Sequence, residues 1–507
     1  MRYLVTSSQM KAIDQYTIEE IGIPSLVLME RAAAAVALEA EKMTASGGKI
    51  LAACGMGNNG ADGVAAARML KEKGYDVSVL LAADREKGTE ELKLQLSIAE
   101  KLNVPVMEFL EYLPGQCDLV IDSVFGVGLS RKVEGRYREY LEFLKRIPKK
   151  QVLAVDIPSG ISADTGAVMG TALKADRTVT FGYEKMGTAL EPGRTYSGKV
   201  TVADIGFPKV SLEKAHAAGL VYDTEDVKRL PQRPSDSNKG TFGKVLIVAG
   251  SKNMCGAAYL SALAAYRLGA GLVKVMTVES NRTVIQEKLP EAVAVTYCPG
   301  NTPEEWQQVS ALIEKECADA DVVVLGPGIG REPYTKNLVR DVLNYVCSPL
   351  VLDADGLNIV AEEKELTGYF TENIIITPHP GEMARLTGKT VREIKENLPE
   401  AAREYAAAYG VTCVLKDGAT AVAGKEGPVY INTSGCSAMA KGGSGDVLTG
   451  SIAALLAQGM EEEEASRLGV YLHGLAGQEA AAKKGQYGVL AGDIADCLGQ
   501  VAEKYKR

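Results

Sequence analysis

Ala440-Lys441-Gly442-Gly443-Ser444-Gly445-Asp446-Val447-Leu448-Thr449-Gly450 is the stretch on which the reading of the fold turns. Its glycines run straight into an apolar segment that extends to about Gln458. Flexible backbone followed by a helix start gathers several free amide N–H groups at one point, a ready site for an anion. An aspartate at that mouth is placed to take a proton from a hydroxyl that attacks a phosphoryl group. The competing role for Asp446 is a helix N-cap, where Asp is favoured.

Working outward, other apolar runs also end in glycines and hard polar groups. In the second half, strands are expected near Lys244–Val248, Leu272–Thr277, Val322–Leu325, Leu350–Leu352, Ile374–Ile376 and Cys413–Leu415. In the first half they are expected near Lys49–Cys54, Val77–Leu81, Leu119–Ile121, Gln151–Val155, Arg177–Thr180 and Lys199–Val202. Strands that alternate with amphipathic helices predict a parallel sheet covered on both faces. The pattern occurs twice, so the expected fold class is α/β, with two three-layer α/β/α domains. The polar stretch Pro231–Gly240 follows the break at Phe207-Pro208 and reads either as a linker or as an ordered arm of the second domain. The boundary is placed near 217–221, giving domains 1–218 and 219–507. Ahead of the first strand, Ser8 can cap a helix to about Glu20, and Pro24 can open another to about Met43.

The 507 residues include 53 Gly but one Trp and seven Phe, which suits buried parallel strands joined by permissive loops. A net charge of −9 argues against a nucleic-acid or anionic-membrane partner. Nine scattered Cys without a CxxC pair fit a reduced, cytoplasmic protein. Three His make a zinc site unexpected. Neither a signal peptide nor a membrane span is expected, since no apolar run of about 18 residues free of charge occurs.

In open parallel sheets ligands lie beyond the carboxyl ends of the strands. The first such end is Gly55-Met-Gly57-Asn58-Asn59-Gly60-Ala61-Asp62-Gly63. Gly55, Gly57 and Gly60 satisfy GxGxxG, with Asp84 as a possible ribose partner, the pattern of a dinucleotide dehydrogenase. Asn58, Asn59 and Asp62 crowd that loop with polar groups a simple pyrophosphate turn does not need. The alternative is a phosphate-holding loop, with oxygens of Asn59, Asp122 and Ser159 able to hold a hard cation. Asp62 is either a cap or a ligand. Asp156, in Val-Asp-Ile-Pro-Ser-Gly at a strand end, is read as functional by position.

In the second half Gly326-Pro-Gly328-Ile-Gly330, Asp353-Ala-Asp355-Gly-Leu-Asn358, Thr377-Pro-His379-Pro-Gly381-Glu382 and Lys416-Asp417-Gly418-Ala419-Thr420 each follow a strand. His379, between two prolines, is a site candidate with a core or capping role as the competing reading. His216 and His473 carry no motif. Glu461–Glu464 reads as a solvated helix start.

The glycine loop ending in Asp446 resembles the ribokinase-like superfamily, in which that aspartate is the catalytic base. Taken together, the stretches resemble the bifunctional NAD(P)H-hydrate repair enzymes over nearly the whole chain. The resemblance implies a Rossmann-like epimerase domain followed by a ribokinase-like dehydratase domain. The first would interconvert R and S hydrates of NADH and NADPH. The second would activate the S hydrate with phosphate from ADP, accompanied by Mg2+, and eliminate it. By resemblance, Asn58, Asn59, Gly60, Ala61 and Asp62, with Gly126, Val127, Gly128, Leu129, Ser130, Arg131, Lys132 and Asp156, hold the hydrate for epimerisation. Asp156 is the proton-transfer candidate, and Asn59, Asp122 and Ser159 match a potassium site. In the second domain Ala257, Gly328, His379 and Asp446 match hydrate-binding positions. Lys416, Asp417, Gly418, Ala419, Thr420 and Gly445 match the nucleotide site, with Asp446 as base. A homo-oligomer in the cytoplasm is expected. One departure is Ala61, where the family loop usually has glycine; a position needing positive φ would disfavour it. The alternative readings are a ribokinase-like kinase of a small alcohol fused to a nucleotide-binding domain, and a first half that senses nucleotides without catalysis.

Overall fold

The computed structural model describes residues 1–109, 115–300 and 302–506. The chain divides into two compact units, Arg2–Leu220 and Val221–Arg507.

The first unit is built on β2 (Lys49–Cys54), β3 (Asp76–Leu81), β4 (Val106–Glu108), β5 (Cys117–Ser123), β6 (Lys149–Val155), β7 (Arg177–Phe181) and β9 (Lys199–Ala203). They form a parallel sheet in the order β4-β3-β2-β5-β6-β7-β9. The chain reverses its direction of travel across the sheet between β2 and β5, which opens a crevice there. β2 shows why the sequence folds this way. Ile50, Ala52 and Cys54 pack on one face with Val36, Ala40 and Val64, while Leu51 and Ala53 pack on the other with Tyr140 and Leu141. Burial on both faces demands an unbroken apolar strand. Two short strands, β1 (Arg2–Val5) and β8 (Glu184–Lys185), pair parallel, with Val5 opposite Lys185.

β10 (Gly219–Val221) spans the boundary of the units. The second unit contains β11 (Lys244–Val248), β12 (Leu272–Val278), β13 (Val293–Tyr297), β14 (Val322–Leu325), β15 (Leu350–Leu352), β16 (Ile374–Ile376) and β17 (Thr412–Leu415). β18 (Ala421–Ala423) and β19 (Val429–Ile431) follow. Their order is β13-β12-β11-β14-β15-β16-β17-β18-β19, parallel up to β17 and antiparallel beyond it. The reversal between β11 and β14 repeats the logic of the first unit.

Several details differ from expectation. Thr6, not Ser8, caps the first helix, in a reciprocal box with Gln9. That helix is α only over Ser7–Gln15 and widens to a π turn at Tyr16–Glu20. The Pro231–Gly240 stretch is an ordered arm: Arg233 donates to the Gly269 carbonyl and to Gln458, both at 3.0 Å, and lies over the Phe242 ring. Gly57, not Asp62, stands at the cap of the helix Asn58–Glu72, which holds Ala61 inside it. Ala61 is fully buried and outside the residues with positive φ, so its methyl group causes no backbone strain. Asp84 caps a local turn through the amide of Glu86. All nine cysteines are free. Among the described residues no helix is long and apolar enough to cross a membrane.

Candidate active sites

The crevice at the β2–β5 reversal holds a cavity of about 450 Å³. Asn58, Asn59, Asp62, Gly126, Val127, Gly128, Leu129 and Asp156 all line it. Gly60 and Ala61 lie buried in the helix start behind the lining. Ser130, Arg131 and Lys132 are exposed beyond it.

Asp156 follows β6 with φ of +68°, a left-handed conformation that a non-glycine residue seldom adopts. Its Oδ1 accepts from Lys185 Nζ at 2.5 Å and from Thr180 Oγ1 at 3.0 Å. Lys185 is a residue the sequence reading missed. Its side chain is 1% exposed, pinned between the ends of β7 and the short β1–β8 pair. The only local signal was its position just after a strand end. Asp62 faces the same cavity with no hydrogen-bond partner among the described residues. Burial pushes its carboxyl well above the usual range, and the charges of Asp156 and Asp14 add to the shift. Asp14, from the first helix, is also raised by burial, opposed by Lys185. One cavity therefore carries an ion-paired carboxylate and two carboxyls that burial holds toward the neutral form.

Near the end of β5, Asp122 is fully buried and pushed up to about 6 by burial. Ser159 donates to it from Oγ at 2.5 Å and from its amide at 2.8 Å. Asn59 keeps a buried side-chain nitrogen without a partner. Among the described residues no group of three His, Cys, Asp or Glu is arranged to hold a metal ion.

In the second unit Gly443 has φ of +92° and caps the helix Ser444–Ala457, which places Asp446 in its first turn rather than at the cap. Burial, then the charge of Asp353, pushes the Asp446 carboxyl up to about 7, against the pull of Lys416. Lys416 is not a free phosphate hook: its Nζ donates to Asp353 Oδ1 at 2.7 Å. Thr449 holds the other oxygen of Asp353 at 2.8 Å. A side chain added at Gly445 would reach Lys416 Nζ at 3.5 Å, so the ammonium sits beside the amide loop. Lys416–Thr420 forms the turn from β17 into β18, a hairpin that simple strand–helix alternation did not predict. Within it Asp417 turns to Lys395 at 3.0 Å.

His379 is a helix cap: its Nδ1 accepts from the amides of Gly381 and Glu382. Burial and the neighbouring Lys416 and Arg385 hold its pKa down. Its Nε2 lies 3.3 Å from Glu382, whose carboxyl burial pushes up to about 7. Capping fixes the ring and leaves the His379 position half-exposed beside Lys416. At the β11–β14 reversal Gly328 has φ of +63°, and a Cβ there would lie 2.8 Å from that of Ala257. The loop continues to Gly330, whose amide donates to Asp355 at 3.0 Å. Asp353, at a strand end the sequence singles out, is the partner of Lys416, and His473 is the further residue missed here. His473 is buried, with Nε2 3.3 Å from the Ser444 hydroxyl.

Both units are similar to known proteins. The model of the NAD(P)H-hydrate dehydratase family matches residues 245–500, and that of the YjeF-related protein N-terminus matches residues 25–187. A bifunctional NAD(P)H-hydrate repair enzyme of Moorella thermoacetica is 37% identical over 98% of this chain and 96% of its own. The chain belongs to the bifunctional NAD(P)H-hydrate repair enzyme family. A second family member, from Thermofilum pendens, is 38% identical over 95% of this chain and 93% of its own. A ribokinase-like superfamily protein of known structure from Enterococcus faecalis is 30% identical, with a TM-score of 0.50, over 57% of this chain and 96% of that one. The family's two layouts, a Rossmann-like first unit and a ribokinase-like second, are those described above.

Proposed function

We propose that residues 1–218 epimerise the R and S hydrates of NADH and NADPH, and that residues 219–507 dehydrate the S form at the expense of ADP. The observation that carries this reading is Asp446. It sits in the first turn behind a left-handed Gly443, its carboxyl raised to about 7 beside Lys416. A base with a pKa near working pH is suited to accept a hydroxyl proton.

In the dehydratase, Ala257, Gly328 and His379 hold the hydrate near Asp446. Lys416–Thr420 and Gly445 hold the nucleotide, and an accompanying Mg2+ would supply positive charge against its phosphates. As Asp446 takes the proton of the hydrate hydroxyl, the oxygen attacks the terminal phosphoryl group and the phosphoanhydride bond breaks toward AMP. The amides of Gly443–Asp446 meet the charge on the transferring group. Phosphate then leaves the carbinol carbon as the neighbouring carbon loses a proton, and the reduced nicotinamide is restored.

In the epimerase, the helix start Asn58–Asp62 and the loop Gly126–Lys132 hold the hydrate. Lys185 keeps Asp156 paired and aimed, and Asp62 opposes it as a carboxyl whose pKa burial raises. Two carboxyls in unlike environments supply an acid and a base together. A potassium ion would be held by Asn59, Asp122 and Ser159. Their chemistry fits: Asp122 is a buried carboxyl whose hydrogen-bond donors among the described residues are Ser159 and Val124, and half a turn of the Asn59 amide presents an oxygen where an unpaired nitrogen now lies. Bound there, the ion would neutralise Asp122 and fix the loop. Nine free thiols support a reducing, cytoplasmic setting.

The test is to give the protein mixed NADH hydrates with ADP, then with ATP, and follow NADH absorbance. Consumption of both epimers supports both sites. A halt once the S form is spent removes the epimerase. A stable phosphomonoester in place of free phosphate turns the second unit into a small-molecule kinase.

A further inference from the structure

Among the buried titratable groups of the second unit that the mechanism leaves unused, His473 stands next to the amide loop. His473 lies mid-way along the helix Glu462–Lys484, 8% exposed between buried Leu472 and Gly474. Its Nε2 is 3.3 Å from Oγ of Ser444, the first residue of the helix that carries Asp446. No other hydrogen bond is made by that hydroxyl among the described residues. Ser444 is therefore pinned on one side and open on the other, between the two glycines of the amide loop.

We propose that His473 is a positioning residue of the dehydratase: its ring N–H donates to Ser444 Oγ, so that the single Ser444 proton is directed at a phosphoryl oxygen of the bound nucleotide.

A hydroxyl has one proton and two lone pairs, and a neutral imidazole has one N–H and one acceptor nitrogen. If the ring donates, the serine must send its own proton elsewhere, and the amide loop is the place left. Burial, then the Lys416 ammonium, pushes the His473 pKa down to about 4 against a backbone hydrogen bond with Ser444, so the ring is neutral at working pH and carries a single N–H. A neutral ring aims the donor without placing a second cation beside Lys416. Ser444 would then be a side-chain donor at the transferring group, added to the backbone amides, and donors so placed are worth roughly 10²–10³ in kcat.

The inference rests on the dehydratase reading of the second unit. The experiment measures kcat and KM for ADP on the S hydrate in wild type, S444A, H473L, H473Q and H473L/S444A. Epimerase rate and Tm are taken on the same samples as a control for folding. Expected are a fall in kcat of about 10² for S444A and of about tenfold for H473L. The double variant should be no worse than S444A alone, because the histidine acts through the serine. H473Q, which keeps a side-chain N–H, should recover most of the rate. Effects of H473L and S444A that multiply independently overturn the inference, as does an H473L enzyme with unchanged kcat. If H473L does not fold, S444A in the wild-type and H473Q backgrounds decides the matter: equal losses support the relay, and an undiminished rate in both overturns it. A wild type that leaves the S hydrate untouched with ADP and with ATP overturns the dehydratase reading and this inference with it.

Discussion

Lys416 Nζ lies 2.7 Å from Asp353 Oδ1, and the Asp446 carboxyl stands in the field of both. Asp353 pushes its pKa up and Lys416 pulls it down, on top of burial, to about 7. A base works only when ionised, so dehydratase kcat/KM should rise with pH through about 7 and be lost below it. Asp446→Asn should lower dehydration by about 10²–10⁴ while R and S hydrates still equilibrate. Normal NADH recovery from the S hydrate by that variant would sink the assignment.

Lys416→Met tests the same pair from the other side. Removing the ammonium takes away the charge that lowers the Asp446 pKa, so the acid limb of the pH profile should move up. KM for the nucleotide should rise in the same variant. The buried Asp353 carboxylate would lose its partner, at a cost of roughly 3–5 kcal/mol in denaturant melts. A pH profile that stays in place would show that Lys416 does not set the base.

The first unit holds a comparable pair in Lys185 and Asp156, both nearly buried. Lys185→Met should destabilise it by about 3–5 kcal/mol and abolish epimerisation, because a buried charge is left alone. The double variant Lys185→Met/Asp156→Asn should regain much of the stability but none of the activity. Recovery of both would reduce the pair to a structural role.

Exchange of potassium for choline at constant ionic strength should lower the Tm of the first unit's transition and slow epimerisation. Asp122→Asn should make both insensitive to potassium. An unaltered potassium response in that variant would remove Asp122 from the proposed ion site.

Ala61→Gly should leave epimerisation intact and cost about 0.5–1 kcal/mol, since the residue lies within a helix and its methyl group is buried. A gain in epimerase rate on restoring the glycine would contradict this.

Much of the frame is legible in the sequence. The strands Lys244–Val248, Val322–Leu325, Leu350–Leu352 and Ile374–Ile376 emerge residue for residue, because central parallel strands must be apolar throughout. Position beyond strand ends singled out Asp156 and the loop before Asp446 for the same topological reason. Val106–Glu108 and Val293–Tyr297 were missed because they are sheet margins, only partly buried over most of their length. Nothing in the sequence near Lys416, Asp156 or Ser444 names Asp353, Lys185 or His473 as partner, since each pair is brought together by the fold from a different element. Nor could the helical backbone of Ala61, or His379 as a cap, be decided from residue type. The sequence by itself determined which chemical groups stand at the strand ends, through periodicity and glycine placement. Only the tertiary structure decided which of those groups are charged, because ionisation depends on burial and on neighbours that the chain order keeps apart.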